Sequence, residues 1–247
     1  MGKILRELNG HSGSTIYLME DDRLFVRKIN NVERNYERMT ALKQAGYPVP
    51  EIYSYDGKIL DMQYIRGLDM KNYLIHNGAS LLFNFLCDII DALSDDFIES
   101  KDYNETYRNK LSWMNGTEGF NFTADELIRS LPRRLPRTMY HGDMTLENIL
   151  YTDPSFCFID PLTSEYDSYI FDIAKLRQDL ECKWFIRNTD IKLDTKLQNL
   201  QDKLKKTYRG ANVFDDNILI LMLLRVYPYC NEKDKQFILN EANRLWK

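Results

Sequence analysis

The stretch 140-YHGDMTLENILY-151 sets His141, Gly142, Asp143 and Asn148 close together and then turns apolar over Ile149 to Tyr151. Next come 152-TDPS-155 and 156-FCFID-160. The apolar triplet predicts a short strand, the Asp-Pro segment a turn, and the second apolar run a returning strand. Pairing of the two strands brings Asp160 opposite Asn148. A carboxylate beside an amide carbonyl, with no His or Cys cluster nearby, suits a hard cation such as Mg2+, which keeps few protein ligands and takes the rest from water and substrate phosphates. Asp143, a short loop away from that pair, is placed to accept the proton of an attacking hydroxyl.

Outward from this stretch, the chain has two textures. Residues 1–66 read as a nucleotide-binding lobe: strand-like "STIYLME" and "RLFVRKI", a helical "NVERNYERMTALKQAG", then "EIYSYDGKILDMQYI" with its Asp-Gly turn. Residues 67–247 read as a helical lobe, with apolar residues at three-and-four spacing in "SLLFNFLCDIIDAL", "DSYIFDIAKLRQDL", "DTKLQNLQDKLKK" and "EKDKQFILNEANRLW". The segment 149–160, "ILYTDPSFCFID", is its one strand-like interruption. In the first lobe "LNGHSGSTIYL" places Gly10 and Gly13, with Ser12 and Ser14 beside them, between two strand-like runs. Without side chains there, backbone amides can approach phosphate oxygens. Alternation in the next strand sets Leu24, Val26 and Lys28 on one face, so Lys28 points inward and needs a partner. Glu33 and Glu37 share a helix face. Glu33 also stands three after Asn30, the spacing of a capping box, which favours Glu37 as the partner.

The motif "HGDMTLEN" followed by "FID" resembles the catalytic loop and metal-binding aspartate of the aminoglycoside phosphotransferase and choline kinase group, small-molecule kinases with a protein-kinase-like fold. The resemblance runs from about Leu8 to Leu180 and implies an α+β, two-lobed architecture with a small β-rich N-lobe and a larger α-helical C-lobe. It implies ATP, or GTP in its place, with Mg2+, and transfer of the γ-phosphate to a hydroxyl of a small molecule: a sugar, an amino alcohol or an aminoglycoside-like acceptor. By the same resemblance Asp143 is the catalytic base, His141 orders the loop, Asn148 and Asp160 bind magnesium, and Lys28 contacts phosphate. Backbone groups of Gln63 to Ile65, in "MQYIRG", then hold adenine, and Asp172 braces the catalytic loop. Asp172 follows Asp160 by only twelve positions, which leaves no room for a protein-kinase activation segment. The alternative is a kinase-like module that binds nucleotide and regulates a partner without turnover. Every catalytic position is filled, which favours the enzyme. A softer resemblance of "FIDP…IFDIAKLRQDLECKWF" to bacterial phosphotransferases of surface-polysaccharide genes points to a sugar or polyol acceptor. The acids Glu165, Asp167, Asp179 and Glu181 point instead to a cationic one, with Tyr166, Tyr169, Trp184 and Phe185 as stacking candidates.

Composition sets the outer bounds. At 247 residues and 44% hydrophobic content the chain can fill a core of its own. A formal charge of -4 gives no basic face for nucleic acid. The longest apolar run, "ILILMLL" at 218–224, is far short of the roughly 20 residues that span a bilayer, so a buried helix is expected and no membrane insertion. "MGKILREL" lacks a secretory apolar region, which makes a cytoplasmic protein the expectation. Cys87, Cys157, Cys182 and Cys230 form no CxxC pair and read as reduced thiols.

Overall fold

The structure is a computed structural model that describes residues 2–8, 13–209 and 213–247. The chain divides into two compact units, and the division does not follow the expected boundary at 66/67. The first unit holds the chain up to Asn77 together with His141–Asp143 and Glu147–Ser164; the second holds Gly78–Tyr140, Met144–Leu146 and Glu165–Lys247. The reason is the hairpin after the opening motif, which hydrogen-bonds to strands of the first unit although it lies far along the sequence.

The first unit is built on an antiparallel sheet of β1 (Lys3–Leu8), β2 (Thr15–Glu20), β3 (Leu24–Ile29), β4 (Ile52–Tyr55) and β5 (Ile59–Gln63), in the order β1-β2-β3-β5-β4. Helix α1 (Glu33–Gln44) connects β3 to β4. The Asp-Gly turn forms as its chemistry dictates: Asp56 Oδ1 accepts the amides of Lys58 at 2.9 Å and Ile59 at 2.7 Å, and Gly57 takes φ 92°. A two-residue strand, β6 (Leu68–Asp69), leads into α2 (Met70–His76), capped by the Asp69 carboxylate on the Asn72 amide.

The second unit is mainly helical. It contains α3 (Ser80–Asp95), the strand pair β7 (Glu99–Asp102) and β8 (Arg134–Arg137), and between them α4 (Asn104–Leu111) and α5 (Ala124–Ser130). The β7/β8 pair was not expected. Its strands, "ESKD" and "RLPR", carry no apolar alternation, and polar links such as Arg137 to Glu99 run across the pair.

The first unit regains the chain at the predicted hairpin, β9 (Ile149–Tyr151) and β10 (Phe156–Phe158). Strand β6 adds to β9, giving the order β10-β9-β6, and Tyr73 of α2 packs on Tyr151 and Phe156. The second unit continues with α6 (Tyr169–Leu180), α7 (Asp194–Thr207), α8 (Asp216–Leu224) and α9 (Glu232–Leu245). Every residue of α8 from Ile218 to Leu224 is buried, so the apolar run is the central core helix of this unit. No helix among the described residues is long and apolar enough to cross a membrane. All four cysteines are free thiols.

Candidate active site

The β9/β10 register pairs Phe158 with Ile149, and one further bond, from the Ile159 amide to the Asn148 carbonyl at 2.9 Å, closes the open end of the hairpin. Asn148 and Asp160 therefore emerge side by side. Asp160 adopts φ 55°, in the left-handed region that a non-glycine residue enters only when its surroundings require it.

His141 ties the loop to the hairpin. Its ring is buried; Nε2 donates to the Ile159 carbonyl at 3.1 Å, and Nδ1 accepts the Asp143 amide at 3.3 Å. Both bonds are satisfied by the neutral ring protonated on Nε2. Burial drives its pKa down to about 4, outweighing the attraction of Asp143 for a proton on the ring. The Asn148 amide then locks the loop from the other side, Nδ2 donating to the Asp143 carbonyl at 2.8 Å and to Asp143 Oδ2 at 3.1 Å.

Lys28 is buried, and its ammonium donates to Asp160 Oδ1 at 2.5 Å. Among the described residues neither Glu33 nor Glu37 pairs with it, which corrects the expected Lys28–Glu37 pair. The cause is the phase of α1: Asn35, Arg38, Met39 and Leu42 occupy its buried face, whereas Glu33 and Glu37 face solvent. Glu37 accepts a bond from the Thr163 hydroxyl instead, and Asn35 Oδ1 is the second acceptor near Lys28, at 3.5 Å. No capping box forms at Asn30; α1 starts after Val32 with no side-chain cap. Arg27, on the opposite face of β3, forms a two-bond pair with Asp61 across the sheet.

Of the expected phosphate loop, Gly10 and Ser12 lie outside the described residues. Gly13 takes φ 72°, and it and Ser14 sit at the end of β2 where Ile16 pairs with Lys28. Gln63 closes β5, with its amide and its side-chain oxygen both engaged by Glu51. Beyond it, Tyr64 to Arg66 line an open cavity of about 620 Å³ with Leu24, Val49 and Cys157, all within the first unit. The backbone amide of Gln63 is thus committed to Glu51, and Ile65 lies in the irregular segment that borders the cavity.

An oxygen-donor metal site fits the residues present. No group of three or more His, Cys, Asp or Glu gathers as a metal cluster among the described residues. Asp160 retains 41% side-chain exposure and engages Lys28 through Oδ1, which leaves Oδ2 for a further ligand. One carboxylate and one amide, completed by phosphates and water, is a donor set that Mg2+ accepts.

In the second unit, three of the four acids read as acceptor candidates, Asp167, Asp179 and Glu181, are bonded within the protein, whereas Glu165 is exposed. Asp167 accepts from Lys101, Tyr103 and Arg137; Glu181 accepts from Arg177 and Gln201 and pairs with Lys205. Two of the aromatic candidates are covered by cations: the guanidinium of Arg225 lies 4.7 Å over Tyr166 and that of Arg187 3.4 Å over Trp184. Asp172 is buried in the first turn of α6. Asp179, expected only as an acceptor candidate and not as a brace, accepts the Leu146 amide at 2.7 Å and so holds the segment between Asp143 and Asn148. Its neighbours on α6 are buried as well, so its carboxylate requires a partner.

A model of APH, the phosphotransferase enzyme family, matches residues 5–192. The chain belongs to this family. It is an enzyme of the small-molecule kinase class with a protein-kinase-like fold. Among solved structures it is similar to a thermostable mutant of the aminoglycoside phosphotransferase APH(4)-Ia in ternary complex with AMP-PNP and hygromycin B, with TM-score 0.70, 11% identity, and 99% of this chain and 93% of that one covered. It is similar also to an ethanolamine kinase of Plasmodium vivax, with TM-score 0.60, 12% identity, and 99% and 81% covered. A choline/ethanolamine kinase family protein of Mesorhizobium loti gives TM-score 0.59 at 16% identity, with 97% and 86% covered. None of the curated proteins compared matches the sequence.

Proposed function

We propose that the protein transfers the γ-phosphate of ATP to a hydroxyl of a small molecule, with Asp143 as the base and Asn148 and Asp160 as magnesium ligands. The observation that carries this reading is the convergence of Lys28, Asp143, Asn148 and Asp160 on one end of the β9/β10 hairpin, through the 2.5 Å Lys28–Asp160 pair and the Asn148–Asp143 bonds. Bound magnesium would neutralise charge on the phosphates. The protein's own part is positional. Lys28 directs its ammonium at the phosphate end of the sheet, and His141, kept neutral, fixes the amide of Asp143. The Asp143 carboxylate, oriented by Asn148, takes the proton of the acceptor hydroxyl. The acceptor is a neutral sugar or polyol in this reading, because three of the four acids expected to attract a cation, Asp167, Asp179 and Glu181, are already engaged within the protein.

Thermal unfolding with nucleotide, in magnesium and in EDTA, tests the first step: ligand at 100 times its dissociation constant stabilises by about 2.7 kcal/mol. ATP and GTP arms distinguish the nucleotide, and ADP release over a panel of sugars, polyols, amino alcohols and aminoglycosides identifies the acceptor. With that acceptor, Asp143→Asn is expected to keep Mg-nucleotide affinity within a few-fold while lowering turnover by about 100-fold or more. Asp160→Asn is expected to weaken magnesium-dependent binding as well as turnover. A wild-type protein that shows neither a thermal shift nor calorimetric binding with either Mg-nucleotide would overturn the proposal.

A further inference from the structure

Asn35 occupies the place on α1 where an acid was expected, and its amide is used at both ends. Oδ1 accepts from Lys28 Nζ at 3.5 Å, and Nδ2 donates to the carbonyl of Pro161, the residue after Asp160, at 2.9 Å. Asn35 is 3% exposed, so neither bond is readily replaced by water. Around it α1 grips the same segment. Arg34 donates to the Thr163 carbonyl through Nε at 2.7 Å and again through Nη2. The Thr163 amide returns to the Arg34 carbonyl at 3.1 Å, and the Thr163 hydroxyl lies 3.2 Å from both that carbonyl and Glu37 Oε2. The Leu162 amide meanwhile bonds to the His141 carbonyl at 2.9 Å. Residues 161–163 are thus bonded on two sides immediately after Asp160, whose left-handed backbone needs such support.

The chemistry at position 35 is specific. An acid there would accept from Lys28 but could not donate to the Pro161 carbonyl, and an aliphatic residue could do neither. We propose that Asn35 is a positioning residue that acts through Pro161 to hold Asp160 in the geometry that couples magnesium to nucleotide binding. This rests on the phosphotransfer reading above.

Three variants test it: Asn35→Asp, which keeps the shape and the acceptor but loses the donor; Asn35→Leu, which loses both; and Thr163→Val, which removes only the hydroxyl bonds of the clasp. Two readouts are taken: hydrogen exchange of the Leu162 and Thr163 amides in the ligand-free protein, and nucleotide affinity by calorimetry in magnesium against EDTA. Asn35→Asp is expected to speed exchange at both amides by about 10-fold and to cut the magnesium-dependent gain in affinity by about 10-fold, leaving affinity in EDTA within about two-fold. Asn35→Leu follows the same pattern, and Thr163→Val, which leaves the buried face of α1 intact, shows it at smaller size even if the Asn35 variants do not fold. A residue that only stabilised the fold would lower the melting temperature without changing the magnesium-dependent gain in the folded variants. Wild-type binding with an unchanged gain in the folded variants overturns this inference alone. A wild type that binds no Mg-nucleotide overturns the functional reading and this inference with it.

Discussion

His141 gives the structure a pH dependence whose sign and size can be worked out. The folded protein uses the ring neutral, with Nδ1 as acceptor for the Asp143 amide, so a proton on Nδ1 would set two donors against each other. Burial places the folded pKa at about 4, against about 6.5 for an ordinary histidine. Between those values the unfolded chain binds the proton and the folded one does not, so stability rises with pH across this window. The contribution is complete above about pH 6.5, is lost as the pH falls towards 4, and changes no further below that. At about 1.4 kcal/mol per pH unit the loss amounts to roughly 3 kcal/mol. The assay is urea unfolding from pH 4 to pH 8 on the wild type and on His141→Gln, which retains a donor for the Ile159 carbonyl and cannot titrate. Other groups titrate in both proteins, so the quantity of interest is the difference between the two profiles, expected to fall by roughly 3 kcal/mol from pH 7 to pH 4. A flat difference, or one that grows as the pH falls, would refute the neutral, buried assignment. Ring nitrogen shifts at pH 6 give an independent check, since they report a neutral Nε2–H ring directly.

Two further outcomes follow from packing within single units. Arg177 is fully buried and bonds to Glu181 at 2.8 Å and to Asp216 at 2.6 Å, so Arg177→Met removes the buried cation they share, leaving Glu181 with Gln201 and Lys205 and Asp216 with Lys247, and is expected to cost about 3 kcal/mol in urea unfolding at pH 7. Burial alone would raise the pKa of both acids, but Arg177 holds them below their ordinary values. Their contribution is present above the unfolded carboxylate range and is lost as the pH falls through the depressed values, so the cost of the variant should shrink on acidification; a cost that grows would contradict the assignment. Gly67 has no room for a side chain: a Cβ would stand 2.5 Å from the Tyr151 carbonyl oxygen. Gly67→Ala is expected to lower stability by about 1–3 kcal/mol in thermal unfolding, and an unchanged melting temperature would show that the β6 approach to β9 is looser than described.

The site was legible where its chemistry is written consecutively. Two apolar triplets flanking Asp-Pro define a hairpin, and strand pairing alone then brings Asp160 to Asn148. Partners assigned across a helix were less accessible, because they depend on rotation about the helix axis, about 100° per residue. In α1 the buried stripe runs through Asn35 and Arg38 as well as Met39 and Leu42, so the apolar pattern that would have fixed the phase is interrupted by polar residues. The only acids on that helix, Glu33 and Glu37, are exposed, and the residue that reaches the buried lysine is an asparagine. The same limit applies to the acids of 165–181: their number is visible in the sequence, but whether a carboxylate is available to a ligand depends on cations such as Lys101, Arg137 and Lys205 that arrive from distant positions. Asp179 shows the converse. An acid in the middle of a wholly buried helix must have a partner, and burial itself would have marked it as a loop brace; but α6 mixes Asp172, Lys175, Arg177 and Gln178 among its apolar residues, which conceals that burial from any reading based on hydrophobic spacing.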